Sequence, residues 1–286
     1  MWRKVKNNLI SLILNLLPRT LGHRFLFFKQ FHKNLNLNNP KTLNEKIHWL
    51  ELNYYGEREA VLTDKNKVKD YINSLNIKDL YVPKTYLVLN SKNENINFEI
   101  LPSRFVLKTN HGSGDVYILD KSNLKIVEEA IEKELKLLKK DFSKNLLEYH
   151  YSYIDPVVMF EEYLNDGINE QPFDYKFFCF SGKVKCVMVC TERENSYKST
   201  FFDKDWNFLN YSTHPSDKEI KQPQNFSKMW NIAEIISSDH KFVRVDLYNI
   251  GGKIYFGEMT FTPAAGLSMT YTSEADEILG SYLTIN

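Results

Sequence analysis

The chain is 286 residues long, with 43% apolar and 26% charged residues, the proportions of a globular protein with enough material for a sizeable buried core. Its formal net charge of +1 provides no whole-molecule field to draw a nucleic acid, so a nucleic-acid partner is excluded as an expectation. Cys179, Cys186 and Cys190 form no CxxC pair, which argues against a metal knuckle or disulfide framework and predicts small core residues of a reduced, cytoplasmic protein.

At the N-terminus Arg3, Lys4 and Lys6 precede the apolar stretch LISLILNLLP. Asn15 interrupts the run, Pro18-Arg19 ends it without a small-residue cleavage site, and it is far shorter than the roughly 20 residues that cross a bilayer. It reads as a helix docked on its own domain, with peripheral contact of residues 1–17 with the inner face of a membrane as the alternative. Residues 1–60 read as helical throughout. Thr42-Leu43-Asn44-Glu45, after Pro40, fits a capping box that opens a helix through Ile47, Trp49 and Leu50. Residues 64–75 predict another helix, with Val68, Tyr71, Ile72 and Leu75 as its apolar stripe, and YVPKTYLVL predicts one strand with Pro83 near its start.

From residue 104 the pattern changes to RFVLKTN and DVYILD, two strand-like runs around HGSG. Residues 123–148 read as helical, with a break near Asp141–Ser143 and with Lys133, Lys136, Lys139 and Lys140 among Glu128, Glu129, Glu132 and Glu134 as a solvated face. VVMFEEYL, FDYKFFCFSG, KVKCVMVCTE and STFFDKDW are strand candidates, and 213–228 is a loop. MWNIAEIISS is a short helix, HKFVRVDLYNIGGKIYFGEMTF a hairpin, and 274–283 a final helix. This order predicts an α+β fold with mostly antiparallel sheet.

Residue chemistry singles out several places. Lys108 precedes Asn110-His111-Gly112-Ser113-Gly114, where a glycine turn can bring backbone N–H groups close to a phosphate and a strand lysine adds charge. No GK[ST] follows, so it is not a Walker loop, and a plain hairpin turn with an exposed lysine remains the alternative. In the closing hairpin Arg244 and Asp246 share one strand face, as do Glu258 and Thr260. A turn with an odd number of residues would set Asp246 opposite Glu258, where two acids repel unless a cation such as magnesium lies between them. Ile254 and Phe256 are expected on the same face as Glu258. An outward hairpin with a surface Arg–Asp pair is the bland alternative. Glu161, Glu162, Tyr163 and Leu164 end a buried strand and could meet an adenine and its ribose, or simply emerge into solvent. Lys176, between Tyr175 and Phe177, could reach a phosphate or mark the wet face of a sheet.

Taken together, FVLKTNHGSGDVY, VVMFEEYL, FDYKFFCFSGKVK and RVDLYNIGGKIYFGEMTFTPAAG resemble the ATP-grasp superfamily, in particular its TupA-like branch linked to teichuronopeptide and capsule-type polysaccharide synthesis. The likeness extends upstream through NNPKTLNEKIHWL and TDKNKVKDYI. It implies two α+β subdomains clamping ATP. The expected division is a helical segment over 1–60, a short region over 61–100, a subdomain with the glycine loop over 101–165, and a subdomain with the magnesium hairpin over 166–286.

The resemblance also implies roles. Lys108 would bind the α- or β-phosphate, His111, Gly112, Ser113 and Gly114 would close over the phosphates, and Glu161 to Leu164 would form the adenine and ribose hinge. Lys176, and Lys67 upstream, would be further phosphate contacts. Arg244 would steady the transferred phosphate, and Asp246 and Glu258 would hold Mg2+. Thr260 stands where such ligases commonly carry Asn as a further ligand. The implied reaction activates a carboxylate as an acyl phosphate and joins it to an amine, the carboxylate being a small molecule or a glycan-linked uronic acid. Arg193 is a candidate for the substrate carboxylate. A glycosyltransferase of the same pathway, for which Asp203-Lys204-Asp205 has the outline of a DxD motif, and a non-catalytic ATP-binding protein are the alternatives.

Overall fold

A computed structural model of the chain describes residues 14, 17–91, 96–112, 116–144, 146–165, 167, 172–191 and 197–285. The basic start of the chain, most of its first apolar stretch, and Ser113, Gly114 and Arg193 lie outside the described residues. Leu14 is described, and packs with Leu26 and Leu147. No helix among the described residues is long and apolar enough to cross a membrane.

The N-terminal segment carries α1 (Arg19–Phe31), α2 (Leu43–Asn53) and α3 (Glu57–Thr63), with an irregular stretch between the first two. The capping box forms as the sequence suggests: Thr42 Oγ1 accepts from Glu45 N and Glu45 Oε2 accepts from Thr42 N, each at 3.2 Å. The next helix, α4 (Val68–Ser74), starts later than the predicted residue 64. Asp64 Oδ1 accepts from Asn66 N at 2.8 Å and Lys67 N at 3.1 Å, so a side-chain turn takes the place of the first helical turn.

Pro83 divides the single strand expected over YVPKTYLVL into β1 (Leu80–Tyr81) and β2 (Thr85–Leu89), which join different sheets. A proline lacks the N–H that continues a ladder, and the chain uses it to cross between layers. The smaller sheet has the order β2-β5-β3-β4, with β3 (Arg104–Thr109), β4 (Val116–Asp120) and β5 (Val158–Glu162) all antiparallel to their neighbours. Helix α5 (Leu124–Leu137) covers one face through Val127, Ala130 and Ile131 against Phe105, Leu107 and Phe160. Glu134, expected in the solvated charge pattern, is buried on this helix, whereas Lys136 and Glu132 pair in the open at 3.9 Å.

The larger sheet runs β1-β11-β10-β6-β7-β8-β9, built from β6 (Asp174–Phe180), β7 (Lys183–Thr191), β8 (Lys198–Phe202), β9 (Phe208–Leu209), β10 (Phe242–Ile250) and β11 (Lys253–Thr260). One face, carrying Phe177, Val187, Val245 and Leu247, packs on α4 and on α6 (Phe226–Ile236). The other face changes character along its length. Phe178, Phe180 and Phe242 pack on α2 and on α7 (Ser273–Ser281), while Asp174, Lys176, Arg244 and Asp246 continue the same alternation toward the other end. The cysteines are buried within these cores and form no disulfide among the described residues.

Two buried imidazoles tie α1 to α2, His23 Nδ1 lying 2.7 Å from His48 Nδ1. Burial lowers the pKa of His23 to about 4, with Arg19 adding to the shift, and burial together with His23 lowers His48 to about 3. The folded values lie below the unfolded one, so the unfolded chain binds more protons and stability is lost as pH falls from 6.5 toward them, by about 1.4 kcal/mol per pH unit for each ring. The double variant His23→Asn, His48→Asn should therefore show a stability deficit that shrinks between pH 7 and 4.5. Urea unfolding across that range checks this, and a deficit constant with pH would refute it.

Candidate active site

The two sheets face each other across a cleft of about 340 Å³. Strand alternation decides what enters it: Phe105 and Leu107 point beneath α5, whereas Val106 and Lys108 of β3 line the cleft with Ile118 of β4. Glu161, Glu162, Tyr163 and Leu164, at the end of β5, line it as well.

Glu161 is the hub of this wall. Its carboxylate accepts from Lys108 Nζ at 2.5 Å and Lys69 Nζ at 2.6 Å, and Lys69 also donates to the Pro83 carbonyl and Thr85 Oγ1, each at 2.7 Å. Burial would raise the Glu161 pKa, but Lys108 and Lys69 outweigh it and hold the carboxyl below its ordinary range. Glu162 accepts from Lys84 N at 3.1 Å, and Tyr163 lies under the Arg104 guanidinium at 4.5 Å.

Asn110 anchors the base of the glycine loop, donating to Asp64 Oδ2 at 2.8 Å and accepting from Val157 N at 2.8 Å. His111 turns inward, its ring edge-on to Phe142 at 4.8 Å, and its side chain is not among those lining the cleft. Gly112 lines the cleft. A Cβ there would lie 2.7 Å from Thr109 Oγ1, so the loop passes too close to β3 for a side chain. Its carbonyl accepts from Lys65 Nζ at 2.8 Å. Burial pushes Lys65 below its ordinary pKa, with Glu258 opposing.

The opposite wall is the closing hairpin. Its turn has two residues, Gly251 (φ 55°) and Gly252 (φ 78°), between paired Ile250 and Lys253, not the odd number expected. Asp246 nevertheless pairs directly with Glu258, because a bulge at Gly257 shifts the register: Leu247 pairs with Phe256, and Gly257 is skipped. A Cβ at Gly257 would lie 2.9 Å from the Asp246 carbonyl oxygen. The same bulge corrects the expectation for Ile254 and Phe256, which join the core on α6, while Glu258 and Thr260 face the other way.

Arg244 gathers the acids. Its Nε and Nη2 donate to Asp246 Oδ1 and Oδ2, each at 2.7 Å, and Nη2 also reaches Glu258 Oε1 and Thr260 Oγ1, each at 3.0 Å. Lys176, paired with Asp246 across β6 and β10, donates to Asp246 and to Asp174, the latter at 2.5 Å. Burial raises Asp246 to about 6 despite Arg244 and Lys176. Burial acts likewise on Glu258 but is outweighed by Lys65, Lys176 and Arg244, which hold it low. Among the described residues no group of three or more His, Cys, Asp or Glu side chains converges as a metal cage; the acids come with their cations.

The structure thus brings Lys108, Gly112, Glu161 to Leu164, Lys176, Arg244, Asp246, Glu258 and Thr260 around one cleft. Lys67 stands apart, exposed and paired with Asp155 at 3.5 Å. Lys65, Lys69 and Asp174 take part without having been singled out in the sequence. The first two are four residues apart on TDKNKVKDYI, and Asp174 precedes Lys176 at strand spacing; those periodicities were the available signals.

The family model described as TupA-like ATPgrasp matches residues 45–284. No curated protein sequence matches. Among solved structures, the VanG D-Ala:D-Ser ligase of Enterococcus faecalis is similar over 79% of this chain and 62% of its own, at 15% identity and a TM-score of 0.50. The ATP complex of the D-alanine–D-alanine ligase of Bacillus anthracis matches over 77% and 61%, at 17% identity and 0.48. The L-amino acid ligase of Bacillus licheniformis matches over 87% and 56%, at 16% identity and 0.47. The chain spans about three fifths of the length of these ligases.

Proposed function

The chain belongs to the TupA-like ATP-grasp family and has its α+β fold, and from that premise we propose that it joins a carboxylate to an amine at the expense of ATP. The observation that carries the proposal is the pairing of Asp246 with Glu258 on the cleft face of one sheet, with Lys108 and Lys65 lining the same cleft. Phosphate binding needs cations held in place before the ligand arrives. Lys108 and Lys69 are fixed by Glu161 and Lys65 by the Gly112 carbonyl, so they would meet the phosphates with little reorganisation. Val106, Ile118 and Leu164 give the cleft an apolar part suited to a purine ring, and the backbone of 161–164 could read its edge. The Glu161 carboxylate itself is taken up in orienting lysines.

Magnesium suits the hairpin. Asp246 and Glu258 both accept from Arg244 Nη2, at 2.7 and 3.0 Å, so their oxygens already converge on one point, and an all-oxygen pair matches a hard cation. These two acids would hold it, with the Thr260 hydroxyl beside Glu258 at 3.1 Å, and the ion would supply charge neutralisation along the phosphates. Arg244 would then be released toward the transferred phosphoryl group, while Lys176 stays between Asp174 and Asp246 and keeps that part of the sheet neutral.

The carboxylate we favour is a uronic acid of a surface-glycan precursor, joined to an amino acid or other amine; this part rests on the family alone. Screening ADP release with uronic acids and nucleotide uronic acids against a panel of amines, with mass spectrometry of the product, tests it. ADP release that requires both substrates is expected. Consumption of a nucleotide sugar without ADP would favour a transferase instead. The DxD outline gives that rival no help, because Asp203 Oδ1 accepts from its own turn, from Asp205 N at 2.9 Å and Asn207 N at 2.8 Å.

A further inference from the structure

Charge is unevenly placed along the chain. The first 44 residues hold eight Lys or Arg and no Asp or Glu. The whole chain holds 37 Lys or Arg against 36 Asp or Glu, so the part after residue 44 is net acidic. Helix α1 and the turn after it belong to the basic stretch. Arg24, Lys29 and Lys33 are exposed there, and none of them forms an ion pair among the described residues.

Helix α1 is apolar on two sides. Leu26 and Phe27 are buried, Leu26 clusters with Leu147, and Gln30 Nε2 donates to the Leu267 carbonyl at 3.3 Å. These contacts hold the inner side. On the other side Leu21, Phe25 and Phe28 fall at positions i, i+4 and i+7, in one line along the helix. Leu21 is 50% and Phe28 53% exposed, and Phe25 is half-buried. Arg24 and Lys29 flank that line, one on each edge. A surface helix ordinarily turns its charged and polar side chains outward. This one turns out an apolar ridge edged with cations. Leu146 and Met269, also exposed, stand on the two segments that pack against α1 through Leu147 and Leu267. No α1 residue lines the cleft.

We propose that this face of α1 docks on a bilayer surface carrying anionic lipid headgroups. Leu21 and Phe28 enter the boundary between headgroups and acyl chains, and the cations beside them meet lipid phosphates. A second copy of the chain fits less well, because packing this face on itself would set Arg24, Lys29 and Lys33 against their own counterparts. The chain's own first residues would bring Arg3, Lys4 and Lys6 into the same repulsion. A nucleic acid would satisfy the cations but leave the leucine and phenylalanine ridge without an apolar partner. An anionic bilayer matches both. Because the cleft is built from other elements, this contact is independent of the ligase reading and compatible with nucleotide binding.

Co-sedimentation of the full chain with lipid vesicles tests this. The chain should bind phosphatidylcholine vesicles that contain phosphatidylglycerol, bind phosphatidylcholine alone weakly, and lose affinity as salt is raised. Arg24→Gln combined with Lys29→Gln should lower the partition coefficient about 25-fold, near five-fold for each cation removed. Leu21→Ser combined with Phe28→Ser should lower it about tenfold or more. All four side chains are exposed, so both pair variants should unfold at the wild-type midpoint. In Phe28→Trp the added indole should emit at shorter wavelength once the mixed vesicles are present. Failure of the wild-type chain to bind mixed vesicles would overturn the proposal. Equal binding by wild type and both pair variants would overturn it too, by assigning the contact to another part of the chain. Dimerisation that the Leu21→Ser, Phe28→Ser pair abolishes, or retention of an oligonucleotide, in either case without vesicle binding, would give the face to a second copy or to nucleic acid instead.

Discussion

Glu258→Gln should lower ADP formation by about 10²–10³-fold, the scale on which a preorganised charge at a reacting centre acts. Glutamine keeps the volume and an acceptor for Arg244 Nη2 and Thr260 Oγ1, now at 3.0 and 3.1 Å, so the hairpin should stay in register and the unfolding midpoint should change little. What it removes is one of the two negative charges that converge on a single point with Asp246. Magnesium affinity should fall with the rate, and raising the magnesium concentration should recover part of it. Thr260→Ala removes only a hydroxyl beside the same oxygen and should cost far less. Unaltered ADP production in Glu258→Gln, measured at limiting magnesium, would remove the metal assignment.

The other large effect concerns stability. Lys176 is buried between Asp174 and Asp246, and Lys176→Met replaces the ammonium by a thioether of similar length. Arg244 still holds Asp246, but Asp174 loses the cation 2.5 Å away. Removing one member of a buried ion pair typically costs about 3–5 kcal/mol, because the remaining charge is left in a poorly polarisable interior. Against a typical total of about 5–15 kcal/mol, the variant should unfold at markedly lower urea concentration. The pH dependence identifies the cause. A buried carboxyl without its cation has a raised folded pKa, so its contribution is most favourable when protonated and is lost as pH rises. The deficit should therefore narrow as pH falls from 7 toward 4.5. A deficit that widens would point to lost packing instead.

How far the sequence could be read depended on the range of the interactions involved. The capping box at Thr42 and Glu45 is complete within four consecutive residues and forms as written. The strands around the glycine loop, and those rich in apolar residues, were legible from period-two patterns. Pro83 was visible, but that it parts two strands belonging to different sheets depends on which neighbours Leu80 and Thr85 find, and those are Ile254 and Glu161. The Asp246–Glu258 pairing was reached by assuming an odd turn, whereas the structure makes a two-residue turn and adds the extra residue at Gly257. The sequence shows a glycine there, but not the 2.9 Å approach of the Asp246 carbonyl that demands one. Lys65 and Lys69 were hidden for a similar reason. Lysines on a helical run look solvated until the partners Gly112, Thr85 and Glu161 arrive from distant segments.

The crossing at Pro83 also determines how the clamp can move. The chain passes from the larger sheet to the smaller one between Tyr81 and Thr85, and returns after Glu162. These two passages are stitched together, since Glu162 N donates to the Lys84 carbonyl at 2.8 Å and Lys69 grips Pro83, Thr85 and Glu161 at the same corner. Like the spine of a book, such a seam permits the covers to swing but not to slide or separate. A relative swing of the two sheets would therefore turn about a line near Lys84.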